Sequence, residues 1–197
     1  MALLIDKLSD SPQRPTWAEI DLNNLASNFN EIKNRVGDVA KVMAVVKANA
    51  YGHGAVQCAR RLVKEGAEWF GVALPEEGIE LRAAGIGQPI LSFGGFWGEQ
   101  AGLCIQQRIT PVVYRLGMIA ALNRTAQDAG IVVDVHLKVD TGMGRLGIRT
   151  DQLSHFVGGL KDFQNVRVDG LMTHFAAADD AACEPLTNEQ LQRFDAA

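Results

Sequence analysis

Short β-branched runs return along this chain every roughly 20 to 35 residues, with helical patterns between them, and this recurrence limits the possible folds most. The runs are "VMAVVKA" (42–48), "WFGVAL" (69–74), "PILSFG" (89–94), "ITPVVY" (109–114), "IVVDVHLKV" (131–139) and "VRVDGLMTH" (166–174). Several are apolar almost without a break, as strands are when both faces of a parallel sheet are covered. Between them, "EEGIELRAAG" follows Pro75 and stops at Gly85, the usual asymmetry of helix ends. A second helical pattern runs from Arg115 to Ala129 and stops at Gly130. Thr150 reads as the N-cap of a third, and "TNEQ" from Thr187 to Gln190 as the capping box of a fourth. The expected class is α/β with repeated βαβ units. A (β/α)8 barrel and an open doubly wound sheet both fit, and about six units are visible, two short of a closed barrel.

Ahead of the repeat, "TWAEIDLNNL" (16–25) reads as an added strand and helix, with Leu22, Leu25, Phe29, Ile32 and Val36 on one helical face. The organisation expected is a flexible leader over 1–15, a strand and helix over 16–40, and a partial barrel over 41–197. Net charge is -4, which offers no attraction to nucleic acid or anionic membrane. The first 15 residues hold only a four-residue apolar run before Asp6, too short for a signal or membrane segment. The three cysteines, Cys58, Cys104 and Cys183, lie far apart and are odd in number, which favours reduced thiols and a cytoplasmic protein.

In either parallel architecture, function gathers where strands end. Lys47 closes the first run, Lys138 lies in the fifth with Arg145 just beyond it, and His174 closes the sixth. Each could be an ordinary solvated or hydrogen-bonded residue. His53, between two glycines, reads as a turn residue, and His136 and His155 as surface positions. Asp179 and Asp180 follow His174, but no second histidine stands at ligand spacing, so no metal is expected.

Lys138 is harder to treat as ordinary. Asp134, His136, Lys138 and Asp140 alternate with Val133, Val135, Leu137 and Val139, so one strand face is polar and in a barrel it would line the lumen. A lysine there needs a partner or a chemical change, and Arg145 nearby adds repulsion. The same stretch, "LKVDTGMGRLGIR", spells G-x-G-x-x-G through Gly142, Gly144 and Gly147. A dinucleotide loop needs its helix to open within the glycines. Here the helix signal begins only at Thr150, so the glycines read better as a tight turn that presents Arg145.

Three segments then match one family in order and spacing. "VMAVVKANAYGHG" closely resembles the cofactor-lysine segment of alanine racemases, "LKVDTGMGRLG" a second family segment and "GLMTHFAAAD" a third; "TWAEIDLNNLASNF" looks like the family's N-terminal start. The resemblance runs from about Thr16 onward. It implies a TIM-type barrel of the pyridoxal 5′-phosphate (PLP) racemase kind, here incomplete and without the C-terminal β domain of the family. It implies that Lys47 forms the Schiff base with PLP and acts as one proton-transfer group, and that Tyr51 hydrogen-bonds the phosphate. By the same resemblance Arg145 reaches the cofactor and the substrate carboxylate, and His174 stands beside the pyridine ring. Lys138 matches a position that is carbamylated in many members, which would turn a repulsive pair into an attractive one.

The activity implied is interconversion of L- and D-alanine in a homodimer, supplying D-alanine for the cell wall. The second proton-transfer group in the family is a tyrosine of the partner's C-terminal domain, and this chain offers only Tyr51 and Tyr114. The 197 residues alone are therefore expected to be inactive. The alternatives are a PLP-binding protein without catalysis and a fragment that folds only in an assembly.

Overall fold

The computed structural model describes residues 16–197, and the expected leader over 1–15 lies outside the described residues. Among the described residues seven strands are formed: β1 (Met43–Val45), β2 (Trp69–Val72), β3 (Ile90–Ser92), β4 (Ile109–Val113), β5 (Val133–Asp140), β6 (Ile148–Arg149) and β7 (Val166–Met172). All pair in parallel, in the order β1-β2-β3-β4-β5, with β7 then beside β5 and the two-residue β6 against the end of β5. The helices are α1 (Leu22–Val36), α2 (Lys47–Tyr51), α3 (Ala55–Lys64), α4 (Pro75–Ala83), α5 (Gln100–Gln106), α6 (Leu116–Asp128), α7 (Leu153–Gly159) and α8 (Glu184–Asp195). The sheet is part of a TIM-type barrel. Among the described residues β1 pairs only with β2, and β7 only with β5, which leaves two open edges.

Period-two alternation sorts the strand residues between two environments. The outward face packs under helices. Phe29, Val46, Leu62, Phe70, Val72, Leu81 and Ile90 form one core beneath α1, α3 and α4. Val113, Ile119, Leu122, Val135, Leu137, Val139 and Phe156 form a second beneath α6 and α7. Each such side chain, once wholly buried, contributes about 1.5–3 kcal/mol. The inward face carries Trp69 of β2 and His136 of β5, whose rings stand 5.9 Å apart across the sheet's concavity. His136 is thus a half-buried lumen residue rather than the surface position its sequence suggested. Its ring lies against the backbone of Gly170, where a Cβ would come within 2.8 Å of it.

Two helix starts differ from expectation. Helix α8 opens at Glu184, with Pro185 in its first turn, so Thr187 lies within the helix and Gln190 faces inward instead of capping. Thr150 opens a 3-10 turn, and α7 begins only at Leu153. No strand forms over 16–21: these residues are irregular and exposed. Helix α1 begins where Asp21 accepts from the amides of Asn23 and Asn24 at 2.7 and 3.3 Å, a cap worth about 1 kcal/mol. Of its expected apolar face, Phe29 is buried while Ile32 stays exposed. The three thiols are free, with Cys58 and Cys104 buried. Burial raises the pKa of Cys58 and, for Cys104, pushes it up to about 12, which disfavours the thiolate form of both.

Candidate active site

Lys47 follows β1 on the lumen side, two positions beyond Val45 and four beyond Met43, which is in register with Trp69. The chain there does something rare. Ala48, Asn49, Ala50 and Tyr51 all take positive φ, between 51° and 55°, a complete left-handed turn built without glycine. Each such L-residue costs roughly 1–2 kcal/mol, so the turn persists only where its surroundings hold it. Gly52 closes it at φ 85°, and the Asn49 side chain accepts from the Ala55 amide at 2.7 Å, capping α3. His53 serves the turn as its sequence suggested, with Nδ1 2.8 Å from the Ala50 carbonyl oxygen. The turn places the Lys47 ammonium over the Tyr51 ring, 5.9 Å from its centroid. Tyr51 itself is 62% exposed, so its hydroxyl is available.

The polar face of β5 does point inward. Lys138 is only 4% exposed. Just beyond it, Asp140 Oδ1 accepts from the amides of Gly142 and Gly144, both at 3.0 Å. The chain then returns to pair Ile148 with Val139. Gly147 fits this return because a Cβ there would lie 2.6 Å from the Asp140 amide nitrogen, at φ 140°. The glycines therefore shape a short excursion that carries Arg145, and no helix opens among them.

His174 reaches the same rim because of a bulge. Val135 pairs with Val168, but His136 pairs with Gly170, leaving Asp169 as the extra residue. The inward set of β7 shifts from Arg167 to Gly170 and Met172, and His174 continues it; without the extra residue it would face outward. The end of β7 is tied to helix α8 by Gln190, which is wholly buried. Its Nε2 donates to the His174 carbonyl oxygen at 3.1 Å and to Thr141 Oγ1 at 3.3 Å, and its Oε1 accepts from the Ala176 amide at 2.9 Å. Arg193 adds a bond from Nη1 to the Thr141 carbonyl oxygen at 2.9 Å.

These groups lie within reach of one another's charge. The pKa of Lys138 is lowered, chiefly by burial, then by the charge of Arg145, with Asp140 opposing and Lys47 adding to the effect. That of His174 is lowered by loss of hydration, then by Arg145, Lys138 and Lys47. The structure thus brings together Lys47, Lys138, Arg145 and His174 from three strand ends, with Tyr51 beside Lys47. Among the described residues no carboxylate forms an ion pair with Lys47, Lys138 or Arg145. Nor does any group of three His, Cys, Asp or Glu side chains gather among them in a way that could hold a metal ion.

Two residues important to this geometry were not singled out from sequence. Glu77 Oε1 accepts from the Ala48 amide at 2.7 Å, and its Oε2 from Ala73 and Leu74 at 2.6 and 3.3 Å. Its place in the first turn of α4 was a signal for local capping, but not for a bond to the Lys47 turn. Gln190 was visible only as a capping residue.

Fold and rim define part of a parallel (β/α) barrel with an amine-bearing, cationic mouth. The chain belongs to the family of the alanine racemase N-terminal domain, whose model matches residues 20–197. It is 45% identical to the alanine racemase of Halothermothrix orenii over 92% of this chain and 48% of that protein. It is 42% identical to that of Symbiobacterium thermophilum over 93% and 48%. The structure resembles that of alanine racemase from Clostridium difficile 630 in complex with cycloserine, with a TM-score of 0.86 and 38% identity over 94% of this chain and 51% of that one. The chain spans about half the length of the curated relatives it matches.

The family implies PLP, and the donor set fits it. A primary amine, a free phenol and a cluster of cations without carboxylate partners suit a phosphorylated aldehyde better than any neutral ligand.

Proposed function

We propose that this chain is the cofactor-lysine part of a PLP-dependent racemase that interconverts L- and D-alanine. The supporting observation is the placement of Lys47, Lys138 and His174 at strand ends on one rim, with Arg145 on the loop beyond β5 and the Lys47 ammonium 5.9 Å from the centroid of the Tyr51 ring. When bound, PLP supplies an aldehyde that takes an amine and a conjugated ring that accepts the electron pair left at Cα when its proton is removed. The residues of this chain do the rest. Lys47 would hold the cofactor through Nζ and, as a free amine, would carry a proton to or from one face of Cα. Tyr51 would donate a hydrogen bond from its hydroxyl to the phosphate. Arg145 would bind the substrate carboxylate and help hold the cofactor, and His174 would support its ring.

Lys138 serves as an N-carboxylated anion beside Arg145. A lysine of lowered pKa offers more neutral amine, the form that attacks carbon dioxide, joining nitrogen to carbon and releasing one proton. The product carries a negative charge where the lysine carried a positive one, so the repulsion with Arg145 becomes an attraction. The opposite face of Cα needs a second proton-transfer group, which on this reading comes from a partner subunit in a homodimer. The 197 residues alone are then inactive, and the natural full-length protein supplies D-alanine for peptidoglycan in the cytoplasm.

The test is direct. Incubation with PLP followed by borohydride reduction should leave the cofactor on the peptide containing Lys47. The natural full-length protein should racemise either alanine enantiomer, and Lys47→Ala should abolish this. Labelling elsewhere, or activity retained in Lys47→Ala, overturns the mechanism. Labelling at Lys47 without racemisation by the full-length protein supports the alternative of a PLP-binding protein without catalysis.

A further inference from the structure

We infer that Glu77 is the positioning residue that holds Lys47 in its reactive orientation, by fixing the left-handed turn immediately after it. The inference deepens the proposed role of Lys47 and rests on it.

The turn has an energetic problem and one visible solution. Four consecutive L-residues from Ala48 to Tyr51 sit at positive φ, in a region where the side chain crowds the backbone. Within the turn, Ala50 donates to Val46, and Gly52 donates to Ala48 and Asn49. The first amide after the lysine, that of Ala48, has no backbone acceptor among those contacts. It donates instead to Glu77 Oε1 at 2.7 Å.

The same carboxylate is fixed at its other oxygen by Ala73 and Leu74, at 2.6 and 3.3 Å. Those residues immediately follow β2, the strand in register with β1. Glu77 also stands in the first turn of α4, where the helix dipole favours a negative charge. One rigid carboxylate therefore couples the end of β2, the start of α4 and the residue that follows Lys47. Charge-assisted bonds of this kind are short and strong, and the Ala48 bond acts at the point where the chain changes hand. Moving it would change the direction in which Lys47 leaves the strand.

The residue type follows from this. Glutamine has one acceptor oxygen and places an N–H toward either Ala48 or the β2 end, so one of the two sides must be lost. Aspartate is one methylene shorter and cannot span both.

The test uses the natural full-length protein and has two parts. In the unmodified protein, amide hydrogen exchange at Ala48 should be slower than at Asn49 by at least about tenfold, as expected for a bonded amide. Exchange as fast as at Asn49 overturns the inference without any variant being made. In the second part, Glu77→Gln is incubated with PLP, and formation of the carbon–nitrogen double bond to Lys47, with loss of one water, is followed by absorbance. Its rate or extent should fall at least about tenfold. Adding Ala48→Gly should restore a large part of this, because glycine accepts positive φ without strain. A merely structural role as a cap of α4 would not be rescued by a glycine at position 48. Attachment unchanged in Glu77→Gln, or a loss that Ala48→Gly leaves untouched, overturns the role of Glu77. If the unsubstituted protein does not attach PLP at Lys47, the function proposal fails instead, and the exchange measurement still decides whether Glu77 holds the turn.

Discussion

Gln190 and His174 are joined by a bond that neither needs for its own helix or strand: the Gln190 amide donates to the His174 carbonyl oxygen over 3.1 Å. The same side chain binds Thr141, which is itself 2.7 Å from the Thr173 hydroxyl. Helix α8 is thereby fastened to both loops that carry rim residues.

Replacing Gln190 by leucine should keep the volume and remove these bonds. Leaving buried partners unsatisfied costs about 1–3 kcal/mol, to be read as a lower midpoint in urea unfolding. Attachment of PLP at Lys47 should change far less, because Lys47 is held from the other side of the barrel.

The glycines of the Arg145 loop should differ sharply. At Gly144 an added Cβ meets open space at φ 70°, so Gly144→Ala should cost about 1 kcal/mol, the strain of that backbone alone. At Gly147 the Cβ would strike the Asp140 amide, so Gly147→Ala should cost about 3 kcal/mol, near the upper end of ordinary point changes. Equal midpoints for the two variants in thermal unfolding would contradict this loop geometry.

His136 makes stability depend on pH with a defined sign. Burial lowers its pKa below the ordinary 6.5, against the opposing charges of Asp169 and Asp134. The unfolded chain then binds a proton that the folded chain excludes. The contribution is full above pH 6.5 and is lost as pH falls from there to the lower folded value. His136→Phe should flatten this part of the profile in urea titrations between pH 5 and 8.

Carboxylation of Lys138 has its own signature. In the presence of isotopically labelled bicarbonate, carbon-13 spectra should show a carbamate resonance that disappears in Lys138→Met. Its absence from the unsubstituted protein would leave Arg145 without the anion proposed for it.

The two open edges expose apolar surface: Val45 on β1 is 40% exposed and Leu171 on β7 is 46% exposed. Unpaired strand edges of this kind associate. The 197-residue chain on its own should sediment as more than a monomer, and charged replacement of Leu171 should shift it toward the monomer.

Much of this was legible in the sequence because it depends on local pattern. The six strands other than β6 were visible as apolar runs, and the polar face of β5 followed from alternation alone, which also placed Lys138 in the lumen. The features that escaped are those in which distant residues decide a local conformation. Ala48 and Ala50 carry no sign of a left-handed turn, since alanine favours the opposite hand; the cause is Glu77, a bond away in space and outside the turn's own sequence. Gln190 satisfied a capping pattern that Pro185 displaced by starting the helix earlier. The bulge at Asp169, which brings His174 inward, is set by pairing with β5 and has no signature within its own strand.

The strand order has a consequence for how the protein is made. Apart from the two-residue β6, every strand lies beside the one finished just before it. A ribosome releases the chain from its amino end at about 5–20 residues per second, so each strand can find its neighbour already waiting. The carboxylate that sets the turn after Lys47 emerges with α4, well before β5 has been translated. The lysine can thus be pointed in its final direction before Lys138 and Arg145 exist to repel it, and the crowded part of the rim is added to a frame that has already set.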